Sequence, residues 1–318
     1  FTSTGFTIFD NIKHLDQSLI LWRSSSQWIG GLYFLSSVIL LIDIFDTSFK
    51  KTLTNFLSFD TIETLKQSFK ILILYTSLTF LIFLIFKLID LRTFDAFNLS
   101  MTLISSGGFL PVNNLSNIIN SNLKEIVFSL LMLSSFFSIF FVYNLFFFKK
   151  KNIIFFQEDI YLFIYFIVLL LLFYLLLNYG YNFSVILLSL TSSISNIGIS
   201  LDKSPENLSF IFLMLVIVGG SFFSTSSGIR FLKLYALFKF SINNLILHAK
   251  PKNIFLNKYP LFDVNIKDIE INKYFLSVIV FIISLFLLSS LLTISDISLE
   301  NSFKISILTI MNTVNSSM

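Results

Sequence analysis

Four short segments of the chain combine small polar residues with glycine or asparagine in the same order. Potassium filters replace the water shell of their ion with rings of backbone carbonyls. Successive carbonyls point the same way only where some residues adopt φ above zero, which glycine does freely and asparagine does better than most residues. The pattern predicts K⁺-binding turns at these residues: Thr2, Ser3, Thr4, Gly5; Ser105, Ser106, Gly107, Gly108; Ser195, Asn196, Ile197, Gly198; Asn312, Thr313, Val314, Asn315.

For any single turn, a helix-capping loop explains the residues equally well. Repetition favours the ion-binding interpretation, because the turns recur at intervals of roughly 90 to 120 residues and in step with the apolar spans. Hydroxyls of Thr2, Thr4, Ser105 and Thr313 are candidates either to bind the ion or to brace the turns. We compared the fourth turn with the second by matching Met311 to Ile104, which puts Asn315 in the position of Gly108.

A fifth segment breaks an apolar run with glycines and hydroxyl residues. Each glycine costs about 1 kcal/mol in a helix interior, so an uninterrupted helix is not expected there. A patch of small residues for tight helix packing is the alternative. Arg230 either holds this segment electrostatically or follows the positive-inside rule, and both interpretations stay open. The residues concerned are Gly219, Gly220, Ser221, Ser224, Thr225, Ser226, Ser227, Gly228 and Arg230.

The elements that carry these segments are membrane helices. Hydrophobic residues make up 55% of the chain, charged residues 13%, and the mean hydropathy is +0.85. Runs of about 20 apolar residues span a bilayer, and in lipid they must be helical. We predict spans at 19–42, 71–89, 126–148, 160–177 and 274–293, with an interrupted one at 208–240. Three shorter helices at 93–104, 183–194 and 302–311 lead into the second, third and fourth turns.

Charge and residue usage exclude several other classes. The chain has no Cys, and its two His lack partners at metal-ligand spacing, so no cofactor is expected beyond K⁺ as the transported ion. Basic residues concentrate in alternate loops, which the positive-inside rule places in the cytoplasm, and nucleic-acid binding is not needed to explain them. A membrane-embedded transferase is the competing class, with Asp263, Asp268 and Glu270 as its densest acidic group.

Several stretches resemble the TrkH/KtrB superfamily of potassium transporters, in the same order along the chain. Phe1 to Gly5 is similar to the first filter of that family, FTTTG, and Ile104 to Phe109 to its ISTGGF. Trp22-Arg23-Ser24 and Gln27-Trp28-Ile29-Gly30-Gly31 resemble the WRS and WxGG entry to the next helix. Residues 219–230 resemble GGxxGSTxGGIK, and residues 247–251 loosely resemble LxHP.

The resemblance implies an all-α integral membrane protein of repeated helix–pore helix–filter–helix units, with the K⁺-channel-like, pseudo-fourfold arrangement. Residues 219–230 would be an intramembrane loop that gates the pore. Expected partners are membrane lipid, a second copy in a homodimer, and a cytoplasmic nucleotide-binding regulatory subunit of the TrkA/KtrA kind. The expected location is the bacterial cytoplasmic (inner) membrane, which the chain would cross several times. The chain is expected to be a fragment that lacks the N-terminal and C-terminal segments of the family members.

The predicted organisation follows from these assignments. Residues 1–42 hold the first filter and following helix, 71–148 the second pore unit, 159–240 the third with the interrupted helix, and 274–318 the fourth. Residues 43–70, 149–158 and 241–273 are cytoplasmic loops. Phe6, Ile197 and Asn315 depart from the family pattern, so a Na⁺-selective or Na⁺-coupled member of the superfamily is the alternative to K⁺ uptake. No enzymatic activity is expected.

Overall fold

The computed structural model describes Gly5, Phe9 and residues 11–45, 61–147, 157–177, 180–199, 201, 209–249 and 268–313. The described part is almost entirely helical. Its helices are α1 (Gln17–Phe45), α2 (Thr61–Leu88), α3 (Thr93–Ile104), α4 (Asn122–Phe136), α5 (Ile139–Phe147), α6 (Gln157–Leu177), α7 (Phe183–Ile194), α8 (Ser209–Ile217), α9 (Phe231–Ala249), α10 (Asp268–Ile294) and α11 (Leu299–Ile310). Two short parallel strands, β1 (Val218–Gly219) and β2 (Ile229–Arg230), flank the break between α8 and α9.

Long apolar helices form the outside of the fold. Among the described residues, three helical segments are long and apolar enough to cross a membrane: Ser68–Leu88, Gln157–Leu177 and Ile271–Ile294. Large apolar side chains on them are exposed, as lipid-facing side chains are in an isolated membrane protein. Examples are Phe80 on α2, Leu175 on α6 and Phe286 on α10.

Three short helices lie inside this outer layer. At 12 residues each, α3, α7 and α11 are about 18 Å long, well below the roughly 30 Å of hydrocarbon. α3 packs on α1 and α2, α7 on α4, α6 and α8, and α11 on α10 and α8. The unit predicted from the sequence, a long helix, a short helix, a turn and another long helix, is therefore confirmed.

Several buried hydroxyls on the short helices are bonded within those helices. The Thr191 hydroxyl donates to Leu187 O at 2.9 Å, and the Ser306 hydroxyl donates to Ser302 O at 2.6 Å. This bonding to the preceding turn gives these hydroxyls a partner inside a buried helix.

The predicted span 126–148 is wrong as one continuous helix, because α4 ends at Phe136 and α5 begins at Ile139. Phe137 is extended, with φ −81° and ψ 162°. The break has a physical cause in other elements. Phe136 O accepts a hydrogen bond from Ser221 N at 3.0 Å, and Ser138 N donates to Asp159 Oδ1 at 2.8 Å. These partners replace the helical bonds that the break removes.

Other helices are longer than predicted. α2 begins ten residues before position 71, within the predicted cytoplasmic loop 43–70. α9 continues to Ala249, within the predicted loop 241–273, and α10 begins before residue 274 at Asp268. The interruption predicted within 208–240 is confirmed, because α8 ends at Ile217 and α9 begins at Phe231.

Candidate functional site

The second, third and fourth turns leave their short helices in the same way. The first residue after each helix keeps helical φ, and the second is left-handed: Ser106 at φ 50°, Asn196 at 58° and Asn312 at 55°. The next amide then donates to a carbonyl five residues back in each case. Three segments with different sequences therefore adopt one backbone turn, and the left-handed residue at its start is not glycine in any of them.

This shared turn corrects the sequence comparison of the fourth segment by one residue. Gly107 N donates to Thr102 O at 2.9 Å, and Thr313 N donates to Leu308 O at 2.8 Å. Thr313 thus corresponds to Gly107, not to Ser106 as the comparison assumed. The comparison failed because it matched Met311 to Ile104, whereas α11 ends one residue earlier, at Ile310. Val314 and Asn315 lie outside the described residues.

The first three turns lie against one another. Gly5, Gly108 and Gly198 are left-handed, with φ of 69°, 78° and 74°. A Cβ on Gly5 would lie 2.7 Å from Gly107 O, and a Cβ on Gly108 would collide with Ile197 O. Carbonyl oxygens of the second and third turns therefore each face the glycine of the preceding turn. Thr2, Ser3 and Thr4 lie outside the described residues.

Backbone carbonyls, and not hydroxyls, are the oxygen atoms that these turns bring together. The Ser105 hydroxyl donates to Met101 O at 2.9 Å, and the Ser195 hydroxyl donates to Thr191 O at 2.6 Å. The Thr313 hydroxyl donates to Met311 O at 3.0 Å. Of the two functions that the sequence left open for these hydroxyls, bracing is the one that these contacts support. The turns also stand at the C-terminal ends of helices, where the helix dipole favours a cation.

The intramembrane loop, residues 219–230, lies directly against these turns. Thr225 Oγ1 donates to Ile104 O at 2.8 Å, and Ser106 Oγ donates to Thr225 O at 2.9 Å. Ser227 Oγ donates to Met311 O and accepts a hydrogen bond from Asn196 Nδ2, which lies 3.0 Å away. The loop is therefore bonded to the second, third and fourth turns at once.

Glycines bring the two ends of the loop together. A Cβ on Gly219 would lie 2.5 Å from Ser227 O and 2.9 Å from the carbonyl carbon of Gly228. Gly228 is left-handed, with φ 87°, and a Cβ on Gly220 would collide with Phe136 O. The loop thus passes too close to itself and to α4 for side chains at these positions, which explains its glycine content.

Arg230 is hydrogen-bonded to the carbonyl side of the loop, which is the contact that the first of the two interpretations left open by the sequence requires. Its Nη1 donates to Ser221 O at 3.0 Å, to Ser224 Oγ at 2.9 Å and to Ser226 O at 2.9 Å. The guanidinium also lies over the ring of Phe34 in α1, 5.3 Å from the ring centroid. Hydrogen bonds from a charged donor are stronger than neutral ones, so this contact fixes the loop firmly.

Two acidic residues that the sequence analysis missed bind the same region. Glu158 Oε1 accepts a hydrogen bond from Phe222 N at 3.0 Å, and Glu158 Oε2 accepts one from Ser221 Oγ at 3.2 Å. Asp159, buried beside it, accepts the bond from Ser138 at the helix break. Glu158 is the last residue of the predicted cytoplasmic loop 149–158, whereas the structure places it in the first turn of α6. The signal was present as two adjacent carboxylates that open an otherwise apolar helix, α6, because acids at membrane depth need partners.

In the described part of the chain, no three His, Cys, Asp or Glu residues are grouped to hold a metal ion. Asp263, from the alternative acidic group, lies outside that part, as do the side chains of Asp268 and Glu270. The candidate site is therefore a group of backbone carbonyls closed on one side by a hydrogen-bonded loop.

Comparison with known proteins supports a transporter fold. No protein-family profile matches the chain. The chain is 26% identical over 302 residues to an uncharacterized cation transporter of Methanocaldococcus jannaschii. That match covers 92% of this chain and 60% of the archaeal protein, so the chain spans about 60% of that relative.

Among solved structures, the chain is similar to the potassium transporter TrkH from Vibrio parahaemolyticus. The TM-score is 0.84 at 18% identity, and the match covers 98% of this chain and 67% of that one. The predicted fold, an all-α membrane protein of the TrkH/KtrB type, is thereby confirmed.

Proposed function

We propose that this chain is the ion-conducting part of a transporter that takes up K⁺ across the cytoplasmic membrane. The observation that carries the proposal is the convergence of the pore turns, where Gly107 O and Ile197 O each face the glycine of a neighbouring turn. A cation that enters this group of carbonyls can exchange its water for backbone oxygens. The C-terminal ends of the short helices add favourable partial charge.

The identity of the ion is the finer part of the proposal. Ile197, which departs from the family pattern, faces Gly108 with its carbonyl, and its side chain is buried in the core. The departure therefore leaves a backbone ligand in place, which favours K⁺. A Na⁺-selective or Na⁺-coupled transporter is the second candidate. It is favoured by the fourth segment, where the turn register aligns Val314, and not a glycine, with Gly108 in the sequence.

The intramembrane loop is the proposed gate. It is bonded to the turns on one side through Thr225 and Ser227, and it is held on the other by Glu158 and Arg230. A loop held by these bonds would block the ion path on its side of the turn carbonyls. Flux through an opened loop would be driven by the membrane potential, at about 2.3 kcal/mol per charge per 100 mV.

Assembly with other chains is also proposed. α9 begins at the residue after Arg230, so a movement of α9 acts directly on the loop. We propose that a cytoplasmic nucleotide-binding subunit of the TrkA/KtrA kind docks on the basic segments that flank α9, and that the transporter is a homodimer in lipid. K⁺ is the cargo, and no resident cofactor is proposed.

Growth rescue tests the function. The complete gene product would be expressed in a bacterium that lacks its own K⁺ uptake systems, and growth would be followed at limiting K⁺. We expect rescue of growth. We also expect uptake of radioactive Rb⁺ that excess K⁺ inhibits and excess Na⁺ does not. Uptake of Na⁺ without rescue would favour the second candidate. Absence of uptake of either ion, with the protein present in the membrane, would reject the transport proposal.

A further inference from the structure

One motif that the sequence analysis singled out has no function in the pathway described so far. Residues Gln27 to Gly31 lie in the middle of α1, which follows the first turn in the chain, yet they contact the second turn. A Cβ on Gly31 would lie 2.9 Å from Ser105 Cβ and 2.6 Å from the Tyr75 hydroxyl oxygen. Gly31 therefore lets α1 approach the second turn closely.

Gln27 uses this approach to bind the turn backbone at two points. Its Nε2 donates to Gly107 O at 2.5 Å, and its Oε1 accepts a hydrogen bond from Phe109 N at 3.3 Å. The side chain is 1% exposed, so water does not compete for these bonds. One amide thus holds the carbonyl before Gly108 and the N–H after it, and it fixes the peptide planes on both sides of that glycine.

Gly107 is a glycine because of Gln27. A Cβ on Gly107 would collide with Gln27 Oε1, although Gly107 is not among the residues with positive φ. In the third turn, the position that corresponds to Gly107 is occupied by Ile197. The Ile197 side chain is buried in the core at 1% exposure. The second turn is held by a polar side chain from another unit, and the third turn by its own apolar one.

Gln27 is itself held in place by α2. The next residue, Trp28, donates from Nε1 to Thr79 Oγ1 at 2.9 Å, and the Tyr75 hydroxyl donates to Trp28 O at 3.2 Å. The Trp28 and Tyr75 rings pack with centroids 5.2 Å apart. A side chain anchored in this way can position a carbonyl, because its own rotamer is fixed by packing.

We propose that Gln27 is a positioning residue that determines ion selectivity, by holding the Gly107 carbonyl at the contact between the first and second turns. This proposal rests on the proposed function as a cation pore. Gly107 O faces Gly5 of the first turn and has two lone pairs, so Gln27 can hold one while the other stays available to an ion. Discrimination between K⁺ and the smaller Na⁺ depends on how the carbonyls are arranged around the ion.

The test compares Gln27→Met and Gln27→Glu in the complete gene product, with Gln17→Met as control. Gln17 lies on the same helix and is exposed. Gln27→Met removes both hydrogen bonds at nearly constant shape, whereas Gln27→Glu replaces the donor to Gly107 O by a carboxylate oxygen that repels this carbonyl. The readout is the ratio of K⁺ to Na⁺ uptake at matched protein levels in the membrane, beside the maximal rate of K⁺ uptake.

We expect both Gln27 variants to lower the K⁺ to Na⁺ ratio about tenfold, the scale of one lost hydrogen bond, with a smaller change in maximal rate. The control should leave the ratio unchanged. A lower maximal rate at an unchanged ratio would show a merely structural function and overturn the proposal. If Gln27→Met does not reach the membrane, the ratio for Gln27→Glu decides alone. The unsubstituted protein reports separately on the proposed function, since its own ratio shows which ion it prefers.

Discussion

At the second turn, one missing Cβ decides whether two backbone segments can meet. Gly108 has φ 78°, and a side chain there would collide with the carbonyl of Ile197 in the next turn. Any other residue at position 108 would therefore have two independent unfavourable effects. The left-handed backbone would cost about 1–2 kcal/mol, and the side chain would displace a carbonyl that is a proposed ion ligand.

Gly108→Ala is expected to reduce K⁺ uptake by more than about tenfold, because the added methyl group moves Ile197 O out of the group of carbonyls. The measurement is Rb⁺ uptake by cells that express the complete gene product at matched membrane levels. Gly180→Ala is the matched control, since a Cβ there has no atom within 4 Å. Unchanged uptake by Gly108→Ala would remove the second turn from the pathway.

Residue types at the turns were predictable from the sequence, but their partners were not. Left-handed glycines and small polar residues follow from the demand for aligned carbonyls, so Gly108 and Gly198 were found. The functions of Gln27 and Glu158 depend on which backbone groups the fold brings to them. A glutamine in an apolar helix and a glutamate at a helix start have many ordinary explanations, and only the contacts with Gly107 and Phe222 distinguish them.

At the scale of elements, the intramembrane loop is held by two charged side chains with opposite hydrogen-bonding capacity. Glu158 accepts from the N–H of Phe222 and the hydroxyl of Ser221, whereas Arg230 donates to the carbonyls of Ser221 and Ser226. Donors and acceptors in this irregular stretch are thus bonded by groups that no regular helix would supply. The arrangement stabilises one conformation of the loop.

Arg230→Gln is expected to raise K⁺ uptake several-fold, because it removes a charged donor to three loop oxygens, each such bond contributing about 1.5–3 kcal/mol. A loosened loop opens more often. Rb⁺ uptake without any regulatory stimulus measures the effect. Arg92→Gln is the control, because Arg92 is exposed outside the loop. Lower or equal uptake by a correctly inserted Arg230→Gln protein would contradict the loop as the gate.

The break between α4 and α5 depends on Asp159. Its Oδ1 is 2.8 Å from Ser138 N, and both residues are buried. Replacement by leucine leaves that N–H unpaired, which costs about 1–3 kcal/mol. We expect Asp159→Leu to lower the Tm of the purified protein in detergent by several degrees, against no change for Gln17→Leu at an exposed site. An unaltered Tm would mean that the break is fixed by the loop alone.

The sequence was informative about elements wherever their ends are marked by composition. α3 and α7 begin after polar residues and end at small ones, and their predicted bounds agree with the structure at both ends. The break after Phe136 is not marked by Gly or Pro, and the serines around it (Ser134, Ser135 and Ser138) also occur within unbroken helices of this chain. Its cause lies in the hydrogen bonds from Ser221 and Asp159, which are distant in the chain. The added length of α2 was missed because Glu63, Lys66 and Lys70 made its first turns look like a loop. The added length of α9 was missed because its polar residues, such as Asn243 and Asn244, did the same.

At the scale of the whole molecule, the repeated unit fixes which loops share one side of the membrane. In the proposed topology, each long helix crosses the membrane, each short helix enters and returns through its turn, and the next long helix crosses back. The connections between short and long helices in successive units must therefore lie on one side of the membrane. The basic segments between the units must lie on the other side. The positive-inside rule assigns the basic side to the cytoplasm.

Accessibility from outside tests this topology, and the absence of Cys from the chain makes the test direct. We expect Asn120→Cys and Asp296→Cys to react with a membrane-impermeant maleimide on intact cells, because both lie in exposed connections next to short helices. Lys70→Cys, exposed near the basic end of α2, should react only after the cells are opened. Labelling of Lys70→Cys alone on intact cells would invert the orientation. Labelling of Asn120→Cys without Asp296→Cys would show that the second and fourth units do not share a side, and the repeated architecture of the pore would then be wrong.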